Sequence, residues 1–145
     1  MIKKIFIKDE NETKEFGFAL ADKIKPGDVI ALVGELGTGK TALTKYIAKA
    51  LGVKEEITSP TFTIIKEYKS GRLPLYHFDV YRLSGEEEMV ALGYEEYFYG
   101  NGACIVEWAD KAAGIIPAGS TVIRIFYGNS ESERIYEMDT VTKLG

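Results

Sequence analysis

The chain has 145 residues, 46% of them hydrophobic and 28% charged, and a formal net charge of -4. Such a length is one domain, 1–145, with enough apolar content for a real core but little chain to spare for an inserted lid or acceptor site. The acidic balance argues against a standing nucleic-acid or anionic-membrane surface, which clustered Lys and Arg would supply, and the single cysteine excludes an internal disulfide.

Residues 2–7 read as a strand, with Ile5 and Ile7 on one face and Phe6 on the other. Residues 9–13 carry helix-start signals, and Phe16, Ala19, Leu20 and Ile24 supply the apolar stripe of a helix that ends before Pro26-Gly27. On this pattern Thr13 is only a first-turn residue. Pro26-Gly27-Asp28 then turns the chain into Val29-Ile30-Ala31-Leu32-Val33, a continuous apolar run of the kind buried on both faces of a sheet.

The next stretch, Gly34-Glu35-Leu36-Gly37-Thr38-Gly39-Lys40-Thr41, matches G-x-x-x-x-G-K-[ST] at every fixed position. Behind it Leu43, Ile47, Ala50 and Leu51 recur at helical spacing until Gly52 stops the run. Strand, glycine loop and helix in that order make a phosphate-binding loop. Glycines at 34, 37 and 39 are expected to take positive φ, so that consecutive amides wrap an anion at the positive end of the new helix. Lys40 then reaches the terminal phosphates, and the Thr41 hydroxyl is placed for Mg²⁺.

Residues 53–58 read as a polar loop leading to Ser59-Pro60-Thr61-Phe62. Strands are expected over 62–68 and 73–83, and the turn composition of 69–72 makes them an antiparallel hairpin in a mixed sheet. Alternation in the second strand sets His77, Asp79 and Tyr81 on one face. Asp79 is either a structural carboxylate paired with Arg82 or backbone amides, or a residue facing the nucleotide. His77, the only histidine, reads as a packing residue. Ser84 and Glu87 form a capping box, with Glu86, Glu87 and Glu88 as a solvated first turn, and Met89, Leu92 and 97–99 continue a short helical region up to Gly100-Asn101-Gly102. Ala103-Cys104-Ile105-Val106 is a further apolar strand that delivers Glu107 at its carboxyl end, where phosphate-loop proteins place a metal-directed acid. Cys104 is core filler. Residues 115–119 are a turn, and 121–127 with 134–138 form another hairpin. No signal-like or long apolar stretch is present, so the expected setting is the cytoplasm, with no membrane contact.

Four stretches taken together, 34–41, Ser59-Pro60-Thr61-Phe62, His77-Phe78-Asp79-Val80-Tyr81-Arg82-Leu83 and Glu107-Trp108, resemble the TsaE (YjeE) family over residues 9–136. The resemblance implies an α/β, three-layer phosphate-loop fold with a central mixed sheet. It implies an ATPase that works with the partner proteins TsaD and TsaB, serves threonylcarbamoyladenosine modification of tRNA at position 37 and meets tRNA only through those partners; because the sequence identifies no arginine to stabilise the transition state, weak turnover alone and a higher rate with partners are expected. It further implies that Gly37, Thr38, Gly39, Lys40, Thr41 and Ala42 hold ATP, that Thr41 and Glu107 serve Mg²⁺, and that Asp79, Glu107 and Lys40 are needed for turnover. Thr13 and Arg134 fall where family members approach the nucleotide. Two other readings use the same loop: a small-molecule kinase, and a scaffold that binds nucleotide as a switch without cleaving it.

Overall fold

The computed structural model describes residues 2–141; Met1 and residues 142–145 of the expected 1–145 unit lie outside that description. In chain order the elements are β1 (Lys3–Ile7), α1 (Glu10–Asp22), β2 (Val29–Gly34), α2 (Lys40–Ala50), β3 (Ile65–Tyr68), β4 (Leu75–Asp79), α3 (Glu87–Ala91), α4 (Tyr94–Phe98), β5 (Ala103–Glu107), a 3-10 segment (Ala109–Ile115), β6 (Ser120–Tyr127) and β7 (Arg134–Val141). Their strands form one seven-stranded sheet in the order β1-β7-β6-β2-β5-β4-β3. β2 runs parallel to β5 and β6, β4 runs parallel to β5, and the hairpins β3/β4 and β6/β7 and the pair β1/β7 are antiparallel. The sheet is mixed, as expected.

Parity along the central strands sorts the core into two layers. Ile30 and Leu32 of β2 join Leu75, Ile105 and Ile123 beneath Leu43 and Ile47 of α2, whereas Val29 and Ala31 join Phe78, Val106 and Val122 against Met89, Phe98 and Ala112. Helices therefore cover both faces, which is why β2 and β5 read as unbroken apolar runs rather than alternating ones. Each fully buried Leu or Ile contributes about 1.5–3 kcal/mol by leaving water. The same parity puts His77 and Asp79 of β4, and Glu107 of β5, on the α2 face, because they share register parity with Leu75 and Ile105.

Local chemistry explains the helix boundaries and several departures from the sequence reading. Asp9 caps α1 by accepting from Glu12 N at 3.0 Å, while Glu12 Oε1 accepts from Lys8 N at 2.6 Å. The face of α1 turned to the core carries Thr13, Gly17 and Ala21; Ala19, assigned to the stripe, is exposed. A Cβ on Gly17 would lie 3.0 Å from Tyr46 Cβ, so this glycine lets α1 and α2 approach closely. β3 is shorter than 62–68 because Ile64 adopts φ 70, and β4 is shorter than 73–83 because the chain turns after Asp79. The hairpin connection is accordingly 69–74. Ser84 pairs with Glu88 rather than Glu87, with both its N and Oγ on Glu88 Oε1, so the expected capping box is not formed. Gly93, at φ 72, divides the expected single helical region into α3 and α4.

Candidate functional site

The glycine loop leaves β2 at the carboxyl edge of the sheet and opens α2. Gly37 (φ 81) and Gly39 (φ 103) take the positive φ expected of them. Gly34 does not; it is glycine because a Cβ there would lie 2.8 Å from both Ile125 O and Thr38 Oγ1. Gly39 is the N-cap of α2 and supplies no side-chain cap, so the first-turn N–H groups are left for an external acceptor. Thr38 is buried and turned into the loop, where its Oγ1 donates to Glu35 O at 2.8 Å.

Lys40 is 5% exposed. Its Nζ donates to Gly34 O at 2.6 Å and Glu35 O at 2.9 Å and lies 3.9 Å from the centre of the Trp108 ring. Burial lowers its pKa from the ordinary lysine value, opposed by the nearby charges of Glu107, Asp110 and Asp79. A cation so placed gains from any anion that enters beside it. Trp108 holds its position through a left-handed backbone, φ 61, at the turn out of β5.

Glu107 is 2% exposed and accepts from Thr41 and His77, with Thr44 as a longer contact whose hydroxyl donates chiefly to Lys40 O at 2.9 Å. Its Oε1 takes Thr41 Oγ1 at 2.8 Å, and its Oε2 takes His77 Nε2 at 2.5 Å and lies 3.3 Å from Thr44 Oγ1. Asp79 stands opposite Glu107 in register across β4 and β5. It accepts from Tyr81 N at 3.0 Å and from Ser59 Oγ at 2.5 Å, so its partners are a backbone amide and a serine, not Arg82. The Arg82 guanidinium instead lies 5.0 Å from the centre of the Phe62 ring.

These groups converge. Gly37, Gly39, Lys40, Thr41, Ala42, Asp79, Glu107 and Trp108 share a cavity of about 410 Å³ with Ser59, Thr61, Tyr81 and Arg82. Gly39 and Ala42 also line an adjoining cavity of about 290 Å³, together with Thr38, Thr13, Arg134 and Tyr136. Thr13 and Arg134 are thus brought to the loop from the far side, and Thr13 is more than a first-turn residue: it is buried and its Oγ1 accepts from Tyr136 OH at 3.5 Å. Arg134 braces the loop, with Nε on Thr38 O at 2.9 Å and Nη2 on Gly37 O at 3.5 Å. A larger groove, about 640 Å³, lies at the opposite end of the sheet between Leu20, Ile24, Ile30 and Met138, away from all of this chemistry.

Two participants escaped the sequence reading. His77 is not mere packing but a partner of Glu107, and the Thr44 hydroxyl, bonded to Lys40 O, lies 3.3 Å from the same carboxylate. Thr44 lies one helical turn beyond Thr41, a spacing that could have flagged it. Among the described residues no group of three or more His, Cys, Asp and Glu side chains forms a metal cage. The hard oxygens of Thr41 and Glu107 nonetheless suit Mg²⁺, which takes one or two protein ligands and completes its shell with phosphate and water. No helix among the described residues is long and apolar enough to cross a membrane.

A glycine loop between a central parallel strand and a helix, with an acid on the neighbouring parallel strand bonded to the loop threonine, defines a phosphate-loop α/β protein. The family described as "Threonylcarbamoyl adenosine biosynthesis protein TsaE" matches residues 7–136, and the chain belongs to it. It is 56% identical over 98 residues to the tRNA threonylcarbamoyladenosine biosynthesis protein TsaE of Bacillus subtilis, covering 68% of this chain and 61% of that protein, and so spans less than two thirds of that relative's length. The protein of the same name from Treponema pallidum is 41% identical, with 79% and 84% covered, and that of Haemophilus influenzae 33% identical, with 97% and 90% covered. The crystal structure of Bacillus subtilis YdiB superposes with a TM-score of 0.79 at 41% identity, covering 97% of this chain and 86% of that one.

Proposed function

We propose that this chain binds ATP with Mg²⁺ on the glycine loop and hydrolyses it in the service of threonylcarbamoyladenosine modification of tRNA, acting in the cytoplasm with TsaD and TsaB. The observation that carries the reading is the bond of 2.8 Å between Thr41 Oγ1 and Glu107 Oε1 beside the buried ammonium of Lys40. A hydroxyl, a carboxylate and a lysine within one cavity are the donor set that phosphoryl transfer requires.

Each residue then has a task. The amides of 37–42 and the α2 dipole take the phosphate oxygens, and Lys40 exchanges its loop carbonyls for them. Thr41 and Glu107 hold the cation, which when bound offsets negative charge on the phosphates. Asp79 has spare acceptor capacity beyond its two bonds and is positioned to orient a water toward the terminal phosphate. Thr13 and Arg134 receive the nucleoside end in the adjoining cavity.

Hydrolysis needs charge stabilisation that arginine often provides. Arg134 is committed to loop carbonyls, which supports weak turnover alone and faster turnover with partners. Incubation with γ-labelled ATP, with and without TsaD and TsaB, tests this. Labelled inorganic phosphate released faster in the assembly is the expected result. A labelled organic product would make the chain a small-molecule kinase, binding without cleavage would make it a scaffold, and equal turnover alone and assembled would refute the dependence on partners.

A further inference from the structure

His77 is fully buried and is not among the residues lining the cavity, yet its Nε2 lies 2.5 Å from Glu107 Oε2. A carboxylate only accepts, so Nε2 is the donor. The other ring nitrogen, Nδ1, is buried with no partner among the described residues. An imidazole with half its polar capacity unused is a costly way to fill a strand interior that Leu would fill without penalty. Packing therefore does not account for histidine at this place.

What the ring accomplishes is visible at Glu107. The two carboxylate oxygens have separate duties: Oε1 meets Thr41 Oγ1, while Oε2 is occupied by His77 and, more loosely, by Thr44. A glutamate side chain has three rotatable bonds, and one fixed oxygen sets the plane of the group and hence the direction of the other. His77 is suited to fix it. Its ring has two torsions, and its strand pairs directly with β5, so ring and carboxylate move with one piece of sheet.

We propose that His77 is a positioning residue: by holding Oε2 it aims Oε1 of Glu107 at Thr41 and at the divalent cation this pair would hold. The inference rests on the Mg²⁺–nucleotide reading given above. Partners that orient a metal ligand typically change metal affinity by about 10- to 100-fold when removed.

Two variants test it, His77→Leu, which removes the donor, and His77→Gln, which keeps an N–H at a similar reach. Binding of ATP, followed by the fluorescence of Trp108, the only tryptophan, gives affinity in EDTA and the half-saturating Mg²⁺ concentration. The expected result is ATP affinity in EDTA like that of the unaltered chain for both variants, half-saturating Mg²⁺ raised about tenfold in His77→Leu, and recovery in His77→Gln. Unchanged Mg²⁺ dependence in a folded His77→Leu would overturn the proposal. Crystal structures of the two variants without nucleotide test the same point independently of the functional reading. Glu107 Oε1 turned away from Thr41 in the Leu variant but not in the Gln variant supports positioning, and Oε1 still on Thr41 in both refutes it. Failure of the unaltered chain to bind ATP would instead sink the functional reading, while the crystal structures would still decide whether His77 orients Glu107.

Discussion

Asp79 and Glu107 are register partners on adjacent parallel strands, so two buried carboxylates stand side by side at the mouth of the sheet, next to the ammonium of Lys40. Their hydrogen bonds differ, and so should the effects of removing them. Both Asp79→Ala and Glu107→Ala are expected to keep ATP binding in EDTA and to lower phosphate release by roughly 10²-fold or more. Glu107→Ala should also destabilise the fold by about 1–3 kcal/mol, because the buried Nε2 of His77 loses its acceptor, as does the half-buried hydroxyl of Thr41. Asp79→Ala frees the exposed Ser59, which water can satisfy, and should cost less. Phosphate-release assays and thermal unfolding check both; an unchanged rate in either variant contradicts its role in turnover.

Gly34 and Gly39 serve the loop for different reasons, which substitution should separate. Gly34→Ala forces a Cβ against Ile125 O and Thr38 Oγ1, a steric penalty of about 1–3 kcal/mol that any larger residue would worsen. At Gly39 a Cβ meets nothing within 4 Å, so Gly39→Ala costs only the strain of positive φ, about 1–2 kcal/mol, and Gly39→Asn should cost less. Urea unfolding of the three variants reads the difference. Equal losses for Ala and Asn at position 39 would show that φ is not the cause.

The strand–loop–helix unit was legible because its signals are local: an apolar run, fixed glycines and a lysine within a dozen residues. The β6/β7 hairpin and the acid at the end of β5 were legible for the same reason. His77 was not, because its partner is thirty residues on and meets it only when β4 and β5 pair. Thr44 was hidden by the apolar positions around it, which carry the periodic signal. Composition alone could not show that Ile64 would take positive φ and end β3 early, nor that the 3-10 segment would follow Trp108, since both depend on how the chain is held at the edge of the site.

Arg134 joins the start of β7 to the back of the glycine loop through Thr38 O and Gly37 O, with two more bonds to Glu131 O and Glu133 O. Arg134→Ala should weaken ATP binding by loosening the loop, by roughly 10-fold, and Arg134→Lys should not restore it because an ammonium cannot reproduce the planar fork. Calorimetric titration of the two variants measures this. Full recovery in the Lys variant would mean that only the positive charge matters.

Burial pushes the Cys104 thiol up from 9.0 to about 12, so the native protein should not react with thiol reagents at pH 8, whereas the unfolded chain should. The same shift predicts an alkaline weakness. The thiol stays protonated in the folded state while the unfolded thiol ionises, so its contribution is intact below pH 9.0 and is lost between there and about 12, at about 1.4 kcal/mol per pH unit. In Cys104→Ala this part of the alkaline loss should disappear. Identical pH–stability curves for the two proteins above pH 9.0 would contradict it.

On the function proposed above, Lys40, the loop amides and the Thr41–Glu107 pair together hold a magnesium-bound triphosphate. Isothermal titration calorimetry of ATP with Mg²⁺ into the unaltered chain and into Lys40→Ala tests it most directly. One binding site in the former, weakened by about 10²-fold or more in the latter, is the predicted result, since charge-assisted bonds contribute roughly 1.5–3 kcal/mol each. No heat of binding to the unaltered chain at millimolar nucleotide, or undiminished affinity in Lys40→Ala, would contradict it.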